Sequence, residues 1–428
     1  MVQYEDPIAH NISANVPLNR PSFYPANTSE PGIRVNTDVL YSTGYVDLSG
    51  TNLEITFTTA PDDRFYSFSY FGLWGNNVLT LASTLDSIPG KYLIRPASQR
   101  PATSAGKYQA IVESPVSYGF LAYRFFVKDK TNISDFDVVH AMQNATIVKS
   151  KPRRTSTFAD AAPPVSSEVL NGSTLEVLAR IAPFNPPATA KERKRVNKIL
   201  TRAGISEGVY TSPKGANLTA ASALANSTLA SALASVSGTQ SLGNGWVSWF
   251  PTTIGNYSDD YLGRRYIADH LYAALTPDVA RYPTYTKDTI GENQNLEVGV
   301  KEAYLMTFYS KPPLVQSGFW SVTAYDGQQH LIPNGLNRYS LGTASGMTYP
   351  DGRLIYPLSA GSQQDDDGTF RVLLQPAGLY PPANWTSNWL PVPEGGGQFS
   401  IRLRWYGPSE GLDKYEYPVV EKIAALVQ

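Results

Sequence analysis

The sequence predicts a mainly β protein, with sheet-built bodies at the two ends of the chain and a helical insert between them. Three observations predict it. Tyrosine is abundant, with 27 Tyr against 16 Phe and 7 Trp in 428 residues, and Tyr, Thr and Val favour pleated, half-buried surfaces. Short alternating runs recur at even spacing in both outer parts of the chain without helices between them, the pattern of antiparallel sandwiches. Most helix start and stop signals fall in the middle.

Residues 1–30 are rich in Pro and Asn with little periodicity, which predicts an extended arm. A first sandwich is expected over 31–150. Leu40–Leu48 and Leu53–Thr58 flank Ser49-Gly50-Thr51-Asn52 and read as a hairpin. Phe65 to Tyr70 alternates aromatic residues with Ser, Tyr92–Ile94 and Gln109–Val112 follow, and Phe120 to Val127 is nearly continuous apolar sequence. Past Asp135 the pattern turns helical or irregular, and Lys149-Ser150-Lys151-Pro152-Arg153-Arg154 marks a linker into a helical region over 151–290. There Thr189 is placed to cap a helix over Ala190–Ala203 that Gly204 closes. Asn217–Val236, almost all Ala, Ser and Leu, reads as a packed helix in preference to a flexible spacer. In Asp259–Leu275, residues Tyr261, Leu262, Tyr266, Leu271 and Tyr272 fall near helical spacing, with Pro277 beyond. Strands return over 291–428, clearest at Tyr304–Tyr309, Phe319–Tyr325, Thr369–Gln375 and Phe399–Tyr406. Asp365-Asp366-Asp367-Gly368 reads as a hairpin turn, and Val419 to Val427 as a short last helix.

A formal net charge of −1 argues against a broad nucleic-acid surface. The one basic cluster, Lys191-Glu192-Arg193-Lys194-Arg195, reads as a solvated helix face. The absence of cysteine excludes disulfides, thiolate metal sites and Cys nucleophiles. No apolar run is long enough to span a membrane. Asn11, Asn27, Asn132, Asn144, Asn171, Asn217, Asn226, Asn256 and Asn384 each open an Asn-x-Ser/Thr triplet, about twice what composition alone gives. The expectation is a glycosylated protein, secreted or in the secretory lumen, although Met1 to Asp6 has neither the basic nor the apolar part of a signal peptide.

Chemistry is sparse. His10, His140, His270 and His330 are the only histidines, none at metal-ligand spacing, and neither a Gly-x-Ser-x-Gly elbow nor a phosphate or dinucleotide loop is present. No metal and no cofactor is therefore expected. What stands out is the alternating strand Gly318–Asp326, running on through His330 to Ser340. Asp326 and His330 are candidates for a general acid–base pair, with Tyr325 and Arg338 beside them. The alternative is local turn capping at Asp326-Gly327 and Asn334-Gly335. Candidate substrate contacts are Trp320, Asn334, Asn337 and Tyr339, joined by a second polar cluster of Asn36, Asp38 and Tyr41. Asp38 equally suits a buried Arg such as Arg34 or Arg338.

Two sets of blocks carry a family resemblance. The first is Val35-Asn36-Thr37-Asp38-Val39-Leu40-Tyr41-Ser42, Asp47-Leu48-Ser49-Gly50, Asp63-Arg64-Phe65-Tyr66-Ser67, Asn76-Asn77 and Pro89-Gly90-Lys91-Tyr92-Leu93. The second is the Phe319-Trp320 stretch, Pro333-Asn334, Asn337-Arg338-Tyr339-Ser340, Asp367-Gly368-Thr369, Asn388-Trp389-Leu390-Pro391-Val392-Pro393 and Leu403-Arg404-Trp405-Tyr406. In these the chain resembles the paired-domain proteins whose halves are domains of unknown function 1254 and 1214 (DUF1254 and DUF1214). The resemblance implies an immunoglobulin-like sandwich first, helices next, and a jelly-roll-like sandwich last. It implies no activity. The chain departs from the pattern around Ala344–Pro350 and Gly395-Gly396-Gly397, which look lengthened.

The functional expectation rests on exclusion. A cofactor-independent enzyme acting on an apolar small molecule fits best, by cyclisation, isomerisation or elimination, as in a pericyclase or other tailoring enzyme of fungal or microbial natural-product biosynthesis. Its site would be an aromatic-lined hollow between the sandwiches, working by proximity and orientation. The alternatives are a secreted glycan- or surface-binding module and a hydrolase using the Asp326–His330 pair. A homodimer is compatible with the sequence.

Overall fold

The structure is a computed structural model that describes residues 14–23, 32–97, 104–152, 173–187, 189–233, 238–250, 253–290, 294–356 and 368–428. Strands hold 38% of the residues and helices 20%, so the chain is mainly β with a helical insert.

The N-terminal sandwich is built from β1 (Leu18–Asn19), β2 (Val39–Asp47), β3 (Thr51–Phe57), β4 (Tyr66–Gly72), β5 (Asn77–Ala82), β6 (Gly90–Pro96), β7 (Ala110–Ser114), β8 (Tyr118–Phe126) and β9 (Ile147–Pro152). One sheet runs β1-β2-β8-β4-β5 and the other β7-β6-β3-β9. Between β8 and β9 lies α1 (Ile133–Ala145), capped by Asn132. The side chains of β4 and β8 alternate without fault. Tyr66, Phe68, Tyr70, Leu121, Tyr123 and Phe125 fill the core between the two sheets. Phe65, Phe71, Phe120, Ala122 and Phe126 point the other way and pack against the rest of the protein.

The middle of the chain supplies α2 (Thr174–Ile181), α3 (Ala190–Arg202), the short pair β10 (Ile205–Ser206) and β11 (Val209–Tyr210), α4 (Leu218–Leu233), the pair β12 (Thr239–Gly243) and β13 (Trp246–Trp249), and α5 (Tyr261–His270). The C-terminal body begins with β14 (Ala280–Arg281), β15 (Thr284–Tyr285), β16 (Leu296–Val298), β17 (Glu302–Phe308), β18 (Leu314–Asp326) and β19 (Ser340–Gly342). It continues with β20 (Phe370–Pro376), β21 (Trp389–Val392), β22 (Gly397–Pro408) and β23 (Val419–Ala424). Here β12-β13-β15-β22-β18-β19 form one sheet and β21-β20-β17-β23 the other. Their shared core holds Trp246, Phe308, Trp320, Phe370, Leu403 and Trp405.

Several expectations hold. Thr189 accepts a hydrogen bond from Glu192 N and caps α3, and Gly204 follows in the left-handed region; the Ala/Ser/Leu segment is helical, as expected, but mostly exposed instead of packed, with Leu229 its buried residue. Others need correction. Leu40–Leu48 and Leu53–Thr58 are not a paired hairpin: β2 pairs with β1 and β8, and β3 with β6 and β9. The turn between them crosses from one sheet to the other, and both strands bury alternate side chains in the same core. Val419–Ala424 is a strand, because β17 has an open edge and β23 closes it with a six-residue antiparallel ladder. The helix predicted to reach Leu275 ends at His270, and Ala273 takes a positive φ of 62°. Lys149–Pro152, expected as linker, belong to β9 and pair with β3; the turn at Asp365–Asp367, Arg153 and Arg154, and Asn11, Asn27, Asn171 and His10 lie outside the described residues.

Candidate functional site

The outer faces of the two central sheets meet. Phe126 stacks on Phe319 with ring centroids 3.9 Å apart, Phe319 on Tyr406 at 4.4 Å, and Phe65 packs on Tyr406 at 4.8 Å. Period-two alternation then dictates what comes next along each strand. In β22, Phe399, Ile401, Leu403 and Trp405 face the C-terminal core, so Arg402 and Arg404 share the face of Tyr406. In β8, Arg124 shares the face of Phe126. All three arginines are only 4% exposed.

Their partners are neutral. Arg124 Nη2 donates to Ala273 O at 2.6 Å, and its guanidinium lies 5.6 Å from the Tyr41 ring. Arg404 donates to Thr323 Oγ1 (2.9 Å), Tyr325 Oη (2.6 Å) and Arg34 O (3.0 Å). Arg402 donates to Thr284 Oγ1 and sits beside Tyr266. Among the described residues, no carboxylate is bonded to Arg124, Arg402 or Arg404. Burial, then the neighbouring Arg404 charge, lowers the Arg402 guanidinium from its usual range. Burial, with Arg402 adding to it, brings Arg34 down to about 9, so it remains cationic at neutral pH. Burial raises the phenols of Tyr266, Tyr282 and Tyr406, which leaves them neutral hydrogen-bonding groups. Ser67 Oγ is buried and makes no hydrogen bond, whereas Ser321 lies beside the Asp38 carboxylate and Tyr266 beside Arg402 and Thr284.

Segment 34–38 crosses the face of the C-terminal sheet and fastens the two bodies together. Arg34, at φ 51°, donates from Nε to Gln329 Oε1 at 2.8 Å. Val35 O accepts from Tyr325 Oη at 2.8 Å, and Asn36 Nδ2 donates to Tyr406 Oη at 2.9 Å. Asp38 is buried and held by Lys130 Nζ (2.6 Å) and Ser340 Oγ (2.9 Å). Burial pulls its carboxyl upward, but the Lys130 ammonium and nearby hydroxyls outweigh that and hold it below the usual range. The partner of Asp38 is therefore Lys130, not Arg34 or Arg338. That pair is neutral overall, so it supplies no net counter-charge to the three arginines.

The last turn of α5 closes one side. His270 stacks on Tyr266 at 4.3 Å, and its Nδ1 lies 3.0 Å from Tyr266 O. A carbonyl can only accept, so Nδ1 carries the proton and Nε2 the lone pair. Burial, then the charge of Arg34, pushes this imidazole down to about 3. The outer face of α5 borders a cavity of about 240 Å³ lined by Leu73, Trp74, Tyr261, Arg264, Arg265, Ala268 and Tyr272.

Of the residues singled out from the sequence, Asn36, Asp38, Tyr41 and Tyr325 come together at this junction. The rest do not. Asp326 Oδ1 accepts from the amides of Gln328 and His330, and its Oδ2 stands 3.9 Å from His330 Nδ1, beyond hydrogen-bond reach. Asn334 spends its side chain on Ile332 O, Arg338 O and the amides of Leu336 and Arg338. Arg338 donates to Thr386 O and Trp389 O, and Tyr339 to Asn337 Oδ1 at 3.3 Å. Trp320 lies on the opposite face of β18, inside the C-terminal core, with Nε1 on Tyr356 Oη at 2.7 Å. Arg124, Arg402 and His270 were not singled out. The available signal was a lone Arg inside the apolar run Phe120–Val127, and charges alternating with Ile401, Leu403 and Trp405. The six described sequon residues, Asn132, Asn144, Asn217, Asn226, Asn256 and Asn384, are all exposed.

Residues 18–150 match the family described as protein of unknown function DUF1254, and residues 279–410 match the one described as protein of unknown function DUF1214. The chain belongs to the family that joins these two domains. No curated protein matches it. Among solved structures it is similar to the VPA0106 protein of Vibrio parahaemolyticus, at 18% identity and a TM-score of 0.61, over 98% of this chain and 94% of that one. An uncharacterised Burkholderia cenocepacia protein aligns at 14% identity and a TM-score of 0.43, over 96% and 82%. The first likeness shows a shared fold.

Proposed function

We propose that this DUF1254–DUF1214 protein is a cofactor-independent enzyme whose small-molecule substrate carries an anionic group into the junction of the two sandwiches. One observation carries the reading: three guanidiniums buried on facing sheets, with no described carboxylate bonded to them. Burying an ion without a counter-charge costs several kcal/mol even after relaxation, and an anion bound among these guanidiniums would offset that cost. Fixed donors in a low-dielectric site stabilise negative charge that builds up during reaction far better than water does. Arg402, Arg404 and the phenols of Tyr266 and Tyr325 are such donors or orienters. The apolar remainder of the substrate would lie toward the rings of Phe126, Phe319 and Tyr406.

His270 suits the complementary role. It is neutral, with an unprotonated Nε2. A bound anion would offset the Arg34 and Arg402 charges that depress its basicity, so the base strengthens as substrate arrives. An isomerisation or elimination that passes through an enolate-like anion uses these parts and needs no metal or nucleotide.

The test is an untargeted mass-spectrometric comparison of a small-molecule extract incubated with the wild-type chain and with Arg402→Met. Depletion of an acidic compound by the wild type alone supports the reading. Depletion of a neutral or cationic compound, or equal depletion by both chains, contradicts it. No depletion at all leaves a binding protein rather than an enzyme.

A further inference from the structure

We infer that the junction is built for a small molecule with two anionic groups, a short dicarboxylate in chemical class, with one group held on each sheet; this rests on the reading proposed above. The two sheets present matched half-sites. On the N-terminal side Arg124 is flanked in register by Tyr41 of β2 and Ser67 of β4. On the C-terminal side Arg404 stands opposite Ser321 of β18, and Arg402 opposite Thr323. Each half-site thus pairs a buried guanidinium with a buried cross-strand hydroxyl; Ser67 Oγ is without a hydrogen bond, while Ser321 lies beside the Asp38 carboxylate. Arg124 Nη1 makes no well-formed hydrogen bond, on a side chain more than nine-tenths buried with the Tyr41 phenol beside it.

The half-sites lie next to one another across the junction. Phe126, two residues along β8 from Arg124, is in direct ring contact with Phe319, which stacks on Tyr406, two residues along β22 from Arg404. Face-to-face sheets are about 10 Å apart, and two arginine side chains reaching inward shorten the gap that remains. A chain of a few carbons spans it. A single carboxylate satisfies one half-site and strands the other charge. Two neutralise both.

The inference is tested by calorimetric titration of the full-length chain at constant ionic strength. The ligands are malonate, succinate, glutarate and adipate, with acetate and butyrate as singly charged controls. At one chain length the dicarboxylate is expected to bind at least about tenfold more tightly than butyrate, with one molecule per chain. Arg124→Gln is expected to abolish that advantage, bringing the dicarboxylate to within about twofold of butyrate on the same variant. Ser67→Val is expected to reduce the advantage in part. Arg402→Gln is expected to weaken both classes. If the second carboxylate adds less than about twofold at every length, or Arg124→Gln weakens both classes equally, the inference is overturned and the single-anion reading stands. If no mono- or dicarboxylate binds, the reading beneath it is lost too. Should a variant fail to fold, the chain-length series on the wild type decides alone.

Discussion

The protein buries arginines in two ways. Arg64, between the N-terminal sandwich and α1, is fully provided for: its Nη2 lies 2.9 Å from Asp62 Oδ2 and 2.7 Å from Asp135 Oδ1, and its Nη1 donates to Phe126 O at 3.1 Å. Those bonds outweigh burial and raise its guanidinium above the usual range. Arg124, Arg402 and Arg404 are as deeply buried, yet their described partners are hydroxyls, phenols and carbonyls. Arg402 is lowered by burial where Arg64 is raised by its carboxylates, and Arg124 and Arg404 are raised by neighbouring phenols, which outweigh their burial. The first arrangement finishes a fold. The second surrounds buried positive charge with neutral groups, which is what the proposed anion site needs.

Substitutions should separate the two kinds. Arg64→Met leaves Asp135 only the amides of Lys128 and Asp129 and removes one partner of a buried pair, so urea denaturation should show a loss of about 3–5 kcal/mol, with carboxylate binding by the protein that remains folded unchanged. Tyr325→Phe removes a hydroxyl that both donates to Val35 O and accepts from Arg404. It should cost about 1–3 kcal/mol and weaken anion binding, because Arg404 loses the group that orients it. Arg402→Met should be the reverse of Arg64→Met. It removes an uncompensated charge, so stability should stay within about 1 kcal/mol of wild type or rise, while the response to added anions disappears. A loss like that of Arg64→Met would mean that Arg402 is an ordinary structural arginine.

The last effect is in the pH profile. Folded His270 stays neutral down to about pH 3, whereas an unfolded histidine takes up its proton near 6.5. Between those values the unfolded chain binds more protons, so stability must fall as pH drops from 7 through that window. The charges responsible come from several elements: Arg34 from the segment before β2, Arg402 from β22, and Arg265 from α5 itself. His270→Gln should flatten the fall in Tm between pH 7 and 5, and a saturating dicarboxylate should flatten it in the wild type. An unchanged slope in both would remove His270 from the site.

Much of the fold was legible because alternation is a local property. Phe65 to Tyr70 and Phe399 to Tyr406 announce their strands within eight residues, as Thr189 and Gly204 announce the ends of α3. Pairing is not local. Whether β2 joins β3 or β8 depends on which sheet each completes, and the strand character of Val419–Ala424 depends on an open edge at β17, over a hundred residues earlier. The site was legible by halves for the same reason. Asn36, Asp38, Tyr41 and Tyr325 stood out as polar groups within apolar strands, but the bonds that define their roles span great lengths of chain. Asn36 reaches Tyr406, 370 positions away, and Arg404 reaches Tyr325, 79 away. Arg124 sits in a run so apolar that the run hid it. Asp326 and His330 looked like chemistry because turns and active sites draw on the same polar residues; the structure uses Asp326 to cap a turn.

The most direct measurement is a diffraction experiment on crystals soaked in sodium selenate, using the anomalous signal of selenium to locate a bound anion. An anomalous peak within about 3–4 Å of the Arg124, Arg402 or Arg404 guanidinium nitrogens is the predicted result. Peaks confined to exposed lysines, with the three guanidiniums untouched at full soak, would contradict it.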